Sequence, residues 1–321
     1  MVTKADAHSA TDDLIAGVRT ETFGAKLRKF SKSKSAFAWM LIAPAALYLI
    51  VLVAWPLVET VRLSFTDANL GGENYVGFEN YEKLANSKKF HATIGRTFYW
   101  MFISVSFKLV MGLFGAMLLN ANLPGKGIFR VLVMPPWIIP VAIGCIGWLW
   151  LYNGQFGVLS GMLQKVGIID GPFEFLAYKD SAFYSAIVTD VWVGTPMVTI
   201  FFLAAMQGVS RDLYEAAYVD GASRMYRFRR ITLPQIMPVI ISMALLSAIW
   251  TFNSFEIVWI LTEGGPRSAT TTLIIDTYKT AITSFKFGQG AARAVVIVVL
   301  LSVFSIIYML VLKKLEKKYG V

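Results

Sequence analysis

The sequence is poor in the residues that build soluble catalytic sites. Of its 321 residues one is cysteine and two are histidine. A lone thiol, Cys145, excludes an internal disulfide and leaves the redox compartment unspecified. His8 and His91 are too few and too far apart to hold a metal. Charged residues make up 16% of the chain, where a soluble domain carries about a quarter. A phosphate-binding loop is also missing. The nearest stretch, Pro124-Gly125-Lys126-Gly127, has no strand before it and no Ser or Thr after its lysine. A nucleotide needs glycine amides and a lysine on its phosphates, so the chain is expected neither to hydrolyse ATP nor to bind a cofactor itself. No nucleophile, metal cluster or acid pair points to an enzyme. The start of the chain lacks the short apolar core and small-residue cleavage site of a removable signal, so insertion through uncleaved spans is expected.

What the chain has in excess is apolar residues, 56% of the total, arriving in long blocks. A helix needs about 20 such residues to cross roughly 30 Å of hydrocarbon. Six spans follow: Ala36–Val58, Thr97–Leu119, Gly127–Leu151, Phe183–Val209, Met237–Thr262 and Ala294–Leu312. A backbone in lipid must satisfy its own hydrogen bonds, and nothing alternates as a barrel strand would. The predicted fold is therefore all-α, a polytopic bundle of transmembrane helices.

The net charge of +10 raises the question of nucleic acid, but many basic residues flank the apolar blocks, where they set topology. No nucleic-acid partner is expected; membrane lipid is. Placing both termini in the cytoplasm puts Arg28, Lys29, Lys126, Arg130, Arg224 to Arg230 and Lys313 to Lys318 inside, the more basic side. Trp55, Trp148, Trp150 and Trp259 then fall near the outer ends, where amphipathic rings prefer to sit. Residues 1–35 form a polar, basic cytoplasmic extension, 36–312 the membrane domain, and 313–321 a basic cytoplasmic tail. Between spans one can expect a short interfacial helix at Val158–Val166.

The cytoplasmic segment 210–234 is the most patterned. It runs Glu215-Ala216-Ala217-Tyr218-Val219-Asp220-Gly221-Ala222-Ser223 and continues through Ile231 and Leu233 to Pro234. A helix from about Asp212 to Asp220, a turn at Gly221 and a second helix ending before Pro234 are predicted. On topology alone an ordinary solvated loop between helices is the favoured reading. The segment resembles the EAA motif of the permeases of binding-protein-dependent ABC importers: Glu-Ala-Ala, two residues, Asp-Gly-Ala, then Ile-x-Leu-Pro. That resemblance implies a coupling helix seated on an ATPase subunit, with Glu215 making the polar contact and Gly221 the turn. Leu261-Thr262-Glu263-Gly264-Gly265-Pro266 and the weaker run Val76-Gly77-Phe78-Glu79-Asn80-Tyr81 are similar to the outer loops of maltose-transporter-type sugar permeases. Together the matches span most of residues 37–321.

The resemblance implies a heterodimer with a second permease subunit, two ATPase subunits holding ATP and magnesium, and an extracytoplasmic solute-binding protein that meets Gly264, Gly265 and Pro266. It places the chain in the inner membrane and implies import of an oligosaccharide or similar polyol. Lys108 leaves room for an acidic sugar such as an alginate oligomer.

Charge at membrane depth is costly and faces either a partner or a water-filled path. Lys108 lies mid-span with Ser104, Gly112 and Gly115 on its face; Asp190 lies in the fourth span with Gly194 one turn on; Asn253 and Glu256 lie three apart in the fifth. These residues, with Trp192 as a stacking ring beside Trp250 and Phe252, are the candidate substrate path. Two readings stay open. Either they bind sugar, or Lys108 pairs with Asp190 or Glu256 to hold the bundle. A different class, an ion-coupled secondary transporter relaying protons through Lys108, Asp190 and Glu256, would leave the elbow motif without a purpose.

Overall fold

A computed structural model describes residues 34–121 and 124–319, with side chains over 37–121 and 124–313. The extension expected at residues 1–35 falls almost wholly outside the described residues. Two compact units, Met1–Glu59 and Thr60–Val321, are described separately.

The first unit contributes α1 (Lys34–Leu49), which continues through a π turn at Ile50–Ala54 into α2 (Trp55–Leu63). Its apolar span, Phe37–Leu63, is 27 residues long, about 40 Å at 1.5 Å per residue. Met40, Leu47 and Trp55 lie exposed, a surface suited to hydrocarbon.

The second unit includes a loop closed by bridges between Thr66 and Tyr75 and between Asn69 and Gly72. Next come α3 (Glu79–Ala85) and α4 (Lys88–Asn120). Ser87 starts α4 by accepting a hydrogen bond from the Phe90 amide at 3.2 Å. The third span is not the single straight helix expected at Gly127–Leu151. It is α5 (Lys126–Val133) and α6 (Pro135–Ile138), then α7 (Val141–Tyr152), bent by 96°. The cause is local. Pro140 supplies no N–H, and Ile139 before it is extended at ψ 135°. The short outer helix is present as α8 (Val158–Lys165).

The fourth span, α9 (Lys179–Gln207), is the most buried and packs along α4. Glycines make that approach possible. A Cβ on Gly112 would lie 2.6 Å from Val198 Cγ1, and one on Gly115 would lie 3.0 Å from Thr199. Met197, Phe202 and Met206 of α9 then pack with Ala116 and Leu119 of α4 and with Ile236 and Met243 of the fifth span.

After α9 come α10 (Arg211–Val219) and α11 (Arg224–Arg227). A π turn at Phe228–Thr232 leads straight into α12 (Leu233–Phe252). The second elbow helix was expected to end before Pro234; instead Arg224–Phe252 is one helical path. Pro234 directly follows the π turn at Phe228–Thr232, and the widened turn accommodates the N–H that proline lacks. The fifth span was also expected to reach Thr262. It stops at Phe252, and α13 (Glu256–Thr262) is a separate helix. The chain finishes with α14 (Leu273–Tyr278), a π turn at Lys279–Thr283, and α15 (Phe287–Tyr319), which carries the basic residues after Leu312 as a continuation of the sixth span. Among the described residues five helices are long and apolar enough to cross a membrane, and the bent pair, taken as one span, makes six.

Candidate functional site

Lys108 enters the bundle from α4 and crosses to α9, where its Nζ lies 2.6 Å from Asp190 Oδ2. Both side chains are buried, 7% and 5% exposed. The crossing is allowed by Gly194: a Cβ there would sit 2.6 Å from Lys108 Cε. The lysine also donates a hydrogen bond to Thr251 Oγ1 at 2.8 Å. Thr251 is held in turn, its carbonyl accepting from Trp100 Nε1 at 3.0 Å. Of the two partners open to Lys108 in the sequence, the structure selects Asp190.

Immediately after Thr251 the helix ends. Asn253 stands at its C-cap, donating its side-chain amide to the Ile249 carbonyl at 2.9 Å. That bond leaves the Asn253 Oδ1 available as an acceptor. Glu256 opens α13, where a carboxylate favours the N-terminal end of a helix. The two therefore do not share a helix face as expected, yet the break brings them to one place. Lys108, Asp190, Asn253 and Glu256 line a cavity of about 590 Å³, together with Trp137, Trp250 and Ser254. Asn253 and Glu256 are exposed to it, while Lys108 and Asp190 form its neutralised wall.

Two of the aromatic candidates lie elsewhere. Trp192 points away, edge-on to Trp148 at 5.7 Å, and lines a separate apolar cavity with Ile103, Phe107 and Met111. Residues two apart on a helix face opposite sides, so Asp190 and Trp192 cannot line the same cavity wall. Phe252 is core, in edge contact with Phe98 at 5.4 Å. Thr251 and Trp137 were missed. A threonine in an apolar block gives no signal of its own, and Trp137 enters through the bend at Pro135–Pro140.

The loop after α13 is bound by threonines. Thr262 and Thr270 hydroxyls lie 2.6 Å apart, Thr270 donates to the Gly265 carbonyl and Thr271 to the Gly264 carbonyl at 2.8 and 2.9 Å. Arg96 of α4 anchors it by donating to the Thr271 carbonyl at 2.9 Å. Gly264 has φ 83° and is buried against Thr271, and the peptide before Pro266 is cis. Gly264 therefore shapes the loop, Gly265 and Pro266 are half-buried, and the exposed groups at its tip are Glu263 and Arg267.

The elbow is a compact turn. Ser210 caps α10, and Gly221, at φ 73°, closes it. The Gly221 amide donates to the Tyr218 carbonyl at 3.0 Å and the Ala222 amide to the Ala217 carbonyl at 2.9 Å. This pair of bonds is a Schellman cap, which requires the left-handed backbone that glycine adopts readily. Ser223 then caps α11, and Tyr214 shares a hydrogen bond with Thr232 at 2.8 Å, tying α10 to the base of the fifth span. Glu215, Ala216 and Asp220 are exposed, as are Leu213, Tyr218 and Val219, the last at 85%. Tyr218 and Val219, three and four residues after Glu215, flank its carboxylate on one face of α10, an exposed apolar surface that suits a partner protein.

Known proteins resemble this chain over most of its length. The trehalose/maltose transport system permease protein MalF of Thermococcus litoralis is 33% identical over 283 residues, 88% of this chain and 95% of that protein. A probable ABC transporter permease protein of Brucella suis is 32% identical over 281 residues, 87% of this chain and 97% of its own length. Among solved structures, a bacterial ABC transporter involved in the import of the acidic polysaccharide alginate has a chain of the same fold, with a TM-score of 0.79 and 21% identity over 90% of this chain and 99% of that one. Residues 84–321 match the family described as the binding-protein-dependent transport system inner membrane component, and the chain is a member of that family, a multi-pass permease of the inner membrane.

Proposed function

We propose that this permease carries a carbohydrate into the cell as one subunit of an ATP-driven importer. The observation that carries the reading is the cavity at the break after α12. Asn253 and Glu256 supply hydrogen-bonding oxygens there, and Trp137 and Trp250 supply aromatic lining. Sugars offer hydroxyl edges and C–H faces, and sites that bind them combine a few placed polar groups with aromatic walls. The neighbouring sugar permeases support the same substrate class.

The elbow, with Glu215 to Ala222 at its surface, is the seat of an ATPase subunit. ATP and magnesium belong to that partner. A second permease subunit completes the cavity as a heterodimer, and two ATPases sit beneath the pair. On the outer face a solute-binding protein delivers the sugar to the loop at Gly264-Gly265-Pro266, meeting it through Glu263 and Arg267. Both termini lie on the ATPase side.

The test is sugar uptake by the complete transporter in proteoliposomes. Uptake should require the binding protein outside and ATP hydrolysis inside. Asn253→Ala with Glu256→Ala should reduce uptake at least tenfold, while assembly with the ATPase is unchanged. Uptake that continues without the ATPase would identify an ion-coupled transporter and overturn this function.

A further inference from the structure

We infer that this chain's half of the cavity selects an uncharged sugar and disfavours one bearing carboxylates. The inference rests on the proposed path and names the substrate class more narrowly. Three ionisable groups line the cavity: Lys108, Asp190 and Glu256. The first two cancel. Lys108 Nζ is 2.6 Å from Asp190 Oδ2, its stem lies over Gly194, and Thr251 Oγ1 takes a further hydrogen bond from it.

A ligand carboxylate reaching Lys108 would have to draw the ammonium from a buried carboxylate and leave that carboxylate unpaired, the costly outcome for a buried pair. The lysine that would suit an acidic sugar is therefore unavailable to it. What remains is Glu256, exposed to the cavity, and among the described residues no cation pairs with it. The lining thus carries a net charge of −1: Lys108 +1, Asp190 −1, Glu256 −1.

A carboxylate accepts two hydrogen bonds readily, so Glu256 is matched to hydroxyls of a sugar ring. Toward a uronate it presents like charge across the cavity. The chain shares its fold with a permease of an alginate importer, yet the charge it places on the cavity has the wrong sign for such a substrate.

The test reads this charge without knowing the sugar. In the complete transporter, with Cys145→Ala to remove the native thiol, Asn253→Cys places a thiol on the cavity wall. Its rates of reaction with cationic, anionic and neutral glucosyl methanethiosulfonates are each divided by the rate with free mercaptoethanol. A unit charge about 6 Å away across water changes the rate of a singly charged reagent roughly threefold. The cationic reagent should therefore lead the anionic one by roughly tenfold, with the glucosyl reagent between them. Glu256→Gln should bring the normalised rates to within about twofold of each other. Exchanging Lys108→Met together with Asp190→Leu removes no net charge and should leave the tenfold preference in place.

Equal rates before the Glu256 change, or a lead for the anionic reagent, overturn the charge inference while leaving the path intact. Loss of the preference in the Lys108/Asp190 double variant also overturns it, since the pair would not then be neutral. No labelling by any reagent, in the resting or the ATP-bound transporter, would remove Asn253 from the path and defeat the proposed function with it.

Discussion

Removing one member of the Lys108–Asp190 pair should cost more than removing both. At 2.6 Å and an effective dielectric of 20 the attraction is about 6 kcal/mol, but burying the two ions offsets much of it. What a single substitution leaves is a buried unpaired charge, at a cost of about 3–5 kcal/mol. Lys108→Met strands Asp190, and Asp190→Leu strands Lys108, which keeps only Thr251. The double variant strands neither and fills the space with apolar atoms. Thermal denaturation of the purified complex, followed by size exclusion, should show each single variant melting roughly 10 °C lower. The double variant should recover most of that loss. Exchanging the charges, Lys108→Asp with Asp190→Lys, should recover less, because Gly194 accommodates a lysine stem arriving from α4. If the double variant loses as much as the sum of the singles, the two residues are not coupled and the account of the pair is wrong.

Gly112→Ala should destabilise by about 1–3 kcal/mol, because its Cβ would meet Val198 at 2.6 Å, and adding Val198→Ala should restore most of that; recovery of folded protein reads both. Gly221→Val forces a branched residue to φ 73°, where no side chain obstructs it and only the backbone objects. It should cost the elbow about 1–2 kcal/mol or more, leaving insertion normal while ATPase binding to the complex weakens; unchanged binding would separate the elbow from the ATPase. In the loop between α2 and α3 the Asn74 backbone amide, and then its side chain, hold the Asp67 carboxyl below the usual carboxylate range. A depressed value means the loop's support is complete above the ordinary carboxylate value of about 3.9 and is lost as pH falls through the folded value. Hydrogen exchange at the Asn74 amide should accordingly stay slow at pH 5 and rise, relative to Asp67→Asn, only in stronger acid.

The sequence makes the spans visible because hydropathy responds to the length of an apolar block, and it makes the elbow visible because Gly221 is a backbone requirement written in one residue. Lys108, Gly112 and Gly115 were legible as one face for the same reason: 3.6-residue periodicity is all that is needed to align them. The end of the fifth span was not legible. Thr251 to Phe255 contains no glycine or proline to mark a break, and Asn253 and Glu256 read equally well as polar groups inside a continuing span. The bend in the third span did carry a signal, Pro135, Pro136 and Pro140, but a sliding apolar average responds to polarity and is indifferent to a missing N–H. Trp192 illustrates the opposite failure. Its chemistry suited a sugar, and its position two residues from Asp190 already turned it to the other side of α9.

The placement of the cavity relative to the elbow has a mechanical consequence for the proposed coupling. From Asp190 to Gln207, α9 runs for about 26 Å before it reaches the elbow, and α12 runs for about 29 Å from Leu233 to Phe252 on the way back. Both helices meet the elbow at one end and the cavity near the other. They are bound to each other along the way by Met197, Phe202, Met206, Ile236 and Met243, and Tyr214 with Thr232 ties α10 of the elbow to the base of α12. Close-packed contacts of this kind resist sliding by fractions of an ångström, so a push on Glu215 or Val219 is passed on as movement of the pair together. The softer point is the unwound stretch at Asn253 to Phe255, where the ladder of the fifth span stops and α13 begins. Displacement of the pair would therefore be taken up where Asn253 and Glu256 face the cavity, and the polar groups proposed to hold the sugar stand at the joint most free to move.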